Sequence, residues 1–142
     1  MRIAALRERI EGERRVAITP ESARQLVDAG LVVTIESGAG AESGYADAAY
    51  QAAGAEVAAS VALGTVDVLA HVRPLTVETI GALKTDTITV GLASAASELA
   101  AVRALRDARI TSFALELVPR ISRAQSMDAL TSQSLVTGYR SV

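Results

Sequence analysis

Apolar positions follow two alternating rhythms along the chain. Short runs that are apolar nearly throughout occupy residues 2–6, 31–36, 66–72, 87–92 and 110–117, with a briefer one at 56–58. Such runs predict strands covered on both faces. Between them the spacing changes to a helical period rich in Ala, predicting helices over 20–29, 41–53, 77–83, 97–108 and 126–140. The punctuation agrees. Thr19-Pro20-Glu21 offers a capping hydroxyl, a proline at the first helical position and an acid in the first turn. Gly30 and Gly54 stand where a helix ends and the next strand begins. Strand–helix alternation predicts a three-layer α/β/α domain with a mainly parallel sheet. Ligands of such folds sit beyond the carboxyl ends of the strands. That selects five loops: 7–15, 37–40, 71–75, 93–97 and 118–128.

Composition narrows the chemistry. A chain of 142 residues, half of them apolar, suits one domain with a buried core. A net charge of −2 gives no footing for nucleic acid. The absence of cysteine removes disulfides and thiolate chemistry, and the single histidine, His71, removes a multi-histidine metal site. The opening Met1–Arg9 is too short in apolar residues for a signal peptide, and no stretch approaches the roughly 20 needed to span a bilayer. The expectation is a soluble, cytoplasmic chain without a metal, which leaves a membrane-bound partner open.

Four features carry candidate chemistry. The run Ser37-Gly38-Ala39-Gly40-Ala41-Glu42-Ser43-Gly44 looks like a dinucleotide fingerprint, but its third glycine is one position late. A tight strand-to-helix turn is the simpler reading. His71 ends a strand and reads as a structural or solvent-facing histidine, while Arg73 is either a holder of a carboxylate or phosphate or a surface arginine. The charged run 7–15 reads as a solvated face. Residues 116–133 carry two arginines, a glutamine amide, hydroxyls and an acid within a few residues of one another. Such a set can hydrogen-bond a carboxamide and ribose hydroxyls. Equally, Ser126 can be a helix cap and Asp128 a first-turn acid.

That last segment, "PRISRAQSMDALTSQ", resembles the signature loop of the NAD(H)-binding alpha subunit of proton-translocating NAD(P) transhydrogenase. "RERIEGERRVAITPE" and "ESGAGAESGYADAAYQAAGA" resemble the first and second units of the wider family that also contains alanine dehydrogenase. The resemblance implies a flavodoxin-like lobe spanning residues 1–142, incomplete at its C-terminal end. The Rossmann NAD-binding domain and the segment that returns from it are then absent. It also implies that Arg120, Gln125, Asp128 and Thr131 contact the nicotinamide and its ribose, with Thr131 standing where the family has serine. Gln125 is the implied catalytic residue, orienting the nicotinamides for direct hydride transfer from NADH to NADP⁺. NADP(H) is implied on a partner component. The implied partners are a membrane domain and an NADP-binding domain, with a homodimer in the complete subunit. The location would be cytoplasmic, peripheral at the inner membrane, and the chain alone would lack turnover.

Alanine dehydrogenase is the alternative that the same resemblance offers. Its substrate-carboxylate arginine falls at Arg15, its catalytic lysine at Arg73 and its catalytic histidine near Ala93. Arginine does not titrate usefully, and alanine not at all, so both losses speak against that activity. A further alternative is a non-catalytic structural or interaction domain. A phosphoacceptor receiver would need an acidic pair where this chain has an arginine-rich loop.

Overall fold

The computed structural model describes residues 1–119, 121–127, 129, 131, 133 and 134, with the backbone alone at 125 and 126. Six strands form one parallel sheet: β1 (Arg2–Ala5), β2 (Val32–Glu36), β3 (Glu56–Ala58), β4 (Val68–His71), β5 (Ile88–Gly91) and β6 (Thr111–Ala114). Their order is β3-β2-β1-β4-β5-β6. This is the 3-2-1-4-5-6 order of a doubly wound sheet, and its five strands other than the three-residue edge strand β3 follow the flavodoxin-like order. The winding reverses between β1 and β4, the place where such sheets open a crevice at their carboxyl edge.

Among residues 1–119, four helices cover the sheet: α1 (Pro20–Asp28), α2 (Asp47–Ala52), α3 (Val77–Ala82) and α4 (Leu99–Asp107). The Thr19 cap forms as expected, its Oγ1 accepting from Ser22 N at 3.2 Å, with Pro20 opening the helix. At the other end of α1, Gly30 takes φ 83°. This lets Gly30 N and Leu31 N reach back to the carbonyls of Val27 and Leu26 and close the helix.

The helices α1 and α2 bury one face of the sheet around Ile3, Ala5, Val33, Ile35 and Tyr50. The helices α3 and α4 bury the other around Ala4, Leu69, Ile80 and Ile110. Alternate residues of β1 therefore feed opposite cores. Tyr50 is fully buried and its hydroxyl donates to Ile18 O at 2.9 Å. Burial pushes its pKa up to about 12.

The two helix pairs cover the sheet diagonally, and the two remaining quarters differ in kind. Over β2 and β3, Arg2 binds Thr34 Oγ1 and Glu56 Oε2, which makes a polar surface. Over β5 and β6, the row that begins with the buried Ile35 and Ala5 continues through Ala70 and Val90 to Phe113. Val90 is half-buried and Phe113 is 56% exposed.

Three expected elements need correction. The helix expected over 41–53 is a 3₁₀ turn at Ala41–Ser43 followed by α2 from Asp47. Asp47 is drawn out as first-turn acid because its carboxylate binds the preceding glycine loop. The last strand stops at Ala114, since Glu116 turns back in a 3₁₀ turn at Leu115–Leu117. The helix expected from 126 is preceded by a 3₁₀ turn, Ser122–Met127, that already includes that residue. Residues 129, 131, 133 and 134 are helical, and 135–140 lie outside the described residues.

Candidate site at the carboxyl edge of the sheet

Four of the five loops, 7–15, 37–40, 71–75 and 93–97, are held at the carboxyl edge by carboxylates of neighbouring segments. Glu36, ending β2, accepts from Arg7 N at 2.8 Å and from the Arg9 guanidinium at 2.6 Å. Glu8, in the loop after β1, accepts from Val72 N at 2.6 Å and Arg73 N at 3.3 Å. Asp47 accepts from Ser37 Oγ at 2.6 Å and Gly38 N at 2.9 Å. Glu116 accepts from Ala93 N at 3.1 Å and Ala95 N at 3.3 Å. Charge-assisted bonds of this kind fix a loop's backbone without a regular element. They also shift their acids. Hydrogen bonds from Ser37 and Gly38 hold the Asp47 carboxyl below the usual carboxylate range. For Glu116, burial pushes the pKa up, but the surrounding backbone N–H groups outweigh it and the net shift is downward.

The run 7–15 is therefore not merely a solvated face. With Gly38 and Glu42 it walls a cavity of about 710 Å³, lined by Arg7, Arg9, Arg14, Arg15 and Glu13. That size falls within the range of small-molecule sites. A second cavity, of about 120 Å³, lies at the winding reversal between Leu6–Ile10 and the segment from Leu69 to Thr79. Sequence reasoning missed the carboxylates that build this edge. Each is an acid in a charged or polar stretch, and nothing local says which backbone N–H it will meet.

The glycine loop behaves as a tight turn. Asp47 already occupies Gly38 N, where a phosphate would have to bind. Gly40 is glycine because an added Cβ would lie 2.7 Å from Tyr50 Oη and 2.8 Å from Tyr45 Cβ. The loop after β1, where a dinucleotide fold carries its glycines, has only Gly12.

His71 is buried and structural. Its Nδ1 lies 2.8 Å from Arg73 O. Among the described residues its Nε2 and the Thr89 hydroxyl have no hydrogen-bond partner. Both residues border a cavity of about 10 Å³, too small for any part of a nucleotide. Burial lowers the His71 pKa below its ordinary 6.5, opposed by the Arg73 carbonyl and the charges of Glu8 and Glu116. The sign follows directly. The unfolded chain takes up a proton near pH 6.5 that the folded chain resists, so stability is lost as pH falls below that value. Urea midpoints should be flat above pH 7 and decline between about pH 6.5 and 5. In His71→Leu that decline should largely vanish, and an unchanged decline would assign it to other groups.

Of the four residues implied for the nicotinamide, Arg120 and Asp128 lie outside the described residues. Gln125 sits in the 3₁₀ turn Ser122–Met127, pinned by the buried Ala124. Thr131 is helical and exposed. Arg15 is held by Glu13 through two side-chain bonds of 2.7 and 2.6 Å. Its remaining Nη donates to Gln133 Oε1 at 3.2 Å, linking the first loop to the last segment. Arg73 is exposed and lines the smaller cavity.

Comparison with known proteins places this arrangement. Residues 4–137 match the family described as alanine dehydrogenase/PNT, N-terminal domain. The chain belongs to this family. The first part of the NAD(P) transhydrogenase alpha subunit of Rhodospirillum rubrum is 44% identical over 149 aligned positions, covering the whole chain and 39% of that protein. The Rickettsia prowazekii protein of the same name is 40% identical, again over 39% of its length. Alanine dehydrogenase 1 of Staphylococcus aureus is 29% identical over 99% of the chain and 37% of its own. The crystal structure of transhydrogenase from Sinorhizobium meliloti superposes with a TM-score of 0.94 at 35% identity, over 98% of this chain and 42% of that one. The chain thus spans about two fifths of the length of these relatives.

Among the described residues there is no helix long and apolar enough to cross a membrane and no cluster of acids and histidine suited to a metal.

Proposed function

We propose that the chain is the N-terminal lobe of a transhydrogenase alpha subunit that supplies the nicotinamide-side loop and does not turn over alone. The carrying observation is that Arg15, which lines the arginine-rich cavity, donates to Gln133 Oε1 at 3.2 Å, in a chain 44% identical to its R. rubrum relative. In this reading NAD(H) binds chiefly to a Rossmann domain of the same subunit outside residues 1–142, and NADP(H) to a partner component. Bound NADH supplies the hydride, and no protein acid or base is needed. The lobe's residues orient: Gln125, with Arg120, Asp128 and Thr131, holds the carboxamide and ribose. The groups suit that task, since a fork, an amide and a hydroxyl can donate and a carboxylate can accept from ribose hydroxyls.

The uncovered quarter of the sheet supports an incomplete lobe. The side over β2 and β3 is polar, as a solvent face should be, whereas Val90 and Phe113 present apolar surface. A segment returning from the next domain would cover them. Association with a membrane component, and a homodimer of the complete subunit, belong to the same proposal. An alanine dehydrogenase-like activity is disfavoured by the bidentate Glu13–Arg15 pair, which occupies the guanidinium that a substrate carboxylate would need.

The test is calorimetric titration with NADH of this chain and of a chimera in which it replaces the corresponding lobe of the R. rubrum relative. Binding by the chimera only is expected. Tight binding by the 142-residue chain alone would put the main site within this lobe and defeat the reading.

A further inference from the structure

Arg15 has two partners of different standing. Glu13 is the inner one: its side chain is only 8% exposed, against 38% for Arg15. It accepts from Arg15 N at 3.0 Å and from the guanidinium Nε and one Nη at 2.7 and 2.6 Å. That fixes the plane of the guanidinium, because a two-point bond to a rigid fork leaves no freedom to swing. The other Nη points outward and meets Gln133, which is 118 residues away in sequence. Gln133 belongs to the helical stretch that follows the turn carrying Gln125.

We propose that Arg15 is a positioning residue: Glu13 orients it, and it docks Gln133, so that the loop after β1 sets where the chain around Gln133 lies. The purpose of this contact rests on the proposed function. Its existence does not, and its test uses no nucleotide. Residues 115–117 and 122–127 follow β6 as 3₁₀ turns, whose hydrogen-bond geometry is poorer than that of an α-helix, so side-chain contacts add to what fixes the residues beyond them. Ala124 anchors the start of the segment 121–134 and the Arg15 contact its far end, with Gln125 between the two. A lysine at position 15 would reach one partner or the other, not both.

The experiment is amide hydrogen exchange of the 142-residue chain, read on peptides from 121–134 and from β4. Gln133→Leu and Arg15→Lys are each expected to speed exchange in the segment about two- to tenfold, the range for losing one hydrogen bond that holds a local unit. Glu13→Gln should do the same, acting through Arg15. Gln133→Glu should retain the wild-type rate, since a carboxylate accepts from the same donor. Protection of β4 should stay constant throughout. Unchanged exchange in Gln133→Leu would overturn the proposal. So would a rise that extends equally to β4, because the residues would then support the sheet as a whole. Failure of the chimera to bind NADH would overturn the functional reading and leave this result as it stands.

Discussion

Gln125→Asn, introduced into the chimeric alpha subunit and assembled with its partner components, is expected to slow hydride transfer about a hundredfold while NADH affinity changes little. The substitution keeps the amide and shortens its reach by one methylene. Hydride transfer between two nicotinamides depends on the distance and angle of the reacting carbons, and a displacement of about 1 Å can cost 100-fold. Binding is spread over the rest of the dinucleotide, so the loss should fall on the rate and not on the affinity. Single-turnover kinetics would give the first quantity and calorimetry the second. Equal losses in both would sink the orienting role and make Gln125 an ordinary binding contact. The turn Ser122–Met127 is what makes the residue suitable, since the buried Ala124 beside it limits where its backbone can go.

Gly91→Ala is expected to lower the unfolding free energy by about 3 kcal/mol, the upper part of the range for forcing extra volume into a packed interior. An added Cβ would lie 2.6 Å from His71 Nδ1 and 2.7 Å from His71 Cε1, and closer still to the His71 carbonyl oxygen. A rotamer change can move the ring, but the carbonyl belongs to the adjoining strand. The sheet itself must therefore shift. Urea unfolding of the isolated chain would measure the loss. The double variant Gly91→Ala with His71→Ala should recover only part of it, because the backbone contact remains. A loss below about 1 kcal/mol would mean that strands β4 and β5 part easily at this point. The pair His71 and Gly91 also explains a feature of the site: a buried imidazole fits at the end of β4 because its neighbour has no side chain.

The local residues were enough for some of this. Thr19-Pro20-Glu21 favours a helix start by local means, because cap, fixed φ and dipole act within one turn. The apolar runs at β1, β2, β4 and β5 predict buried parallel strands for an equally local reason, since both faces need covering. The sequence "PRISRAQSMDALTSQ" is specific enough to indicate the family by itself, while Gly38 and Gly40 were legible as a turn from their spacing. Element ends were less legible. Residues 41–46 have helical composition, yet Asp47 reaches back to Gly38 N and starts α2 late.

What the sequence by itself determined is therefore the alternation of elements, the family, and the segment proposed to bear the nicotinamide-side residues. The tertiary structure decided which acid holds which loop. Glu8 meets Val72 N across 64 residues, Glu36 meets Arg7 N across 29, and Arg15 meets Gln133 across 118. None of these pairings leaves a local trace, because a carboxylate in a charged loop has the same composition whether it faces water or a distant backbone N–H. Only the parallel order of the strands brings those loops to one edge, and only there do the charges choose partners.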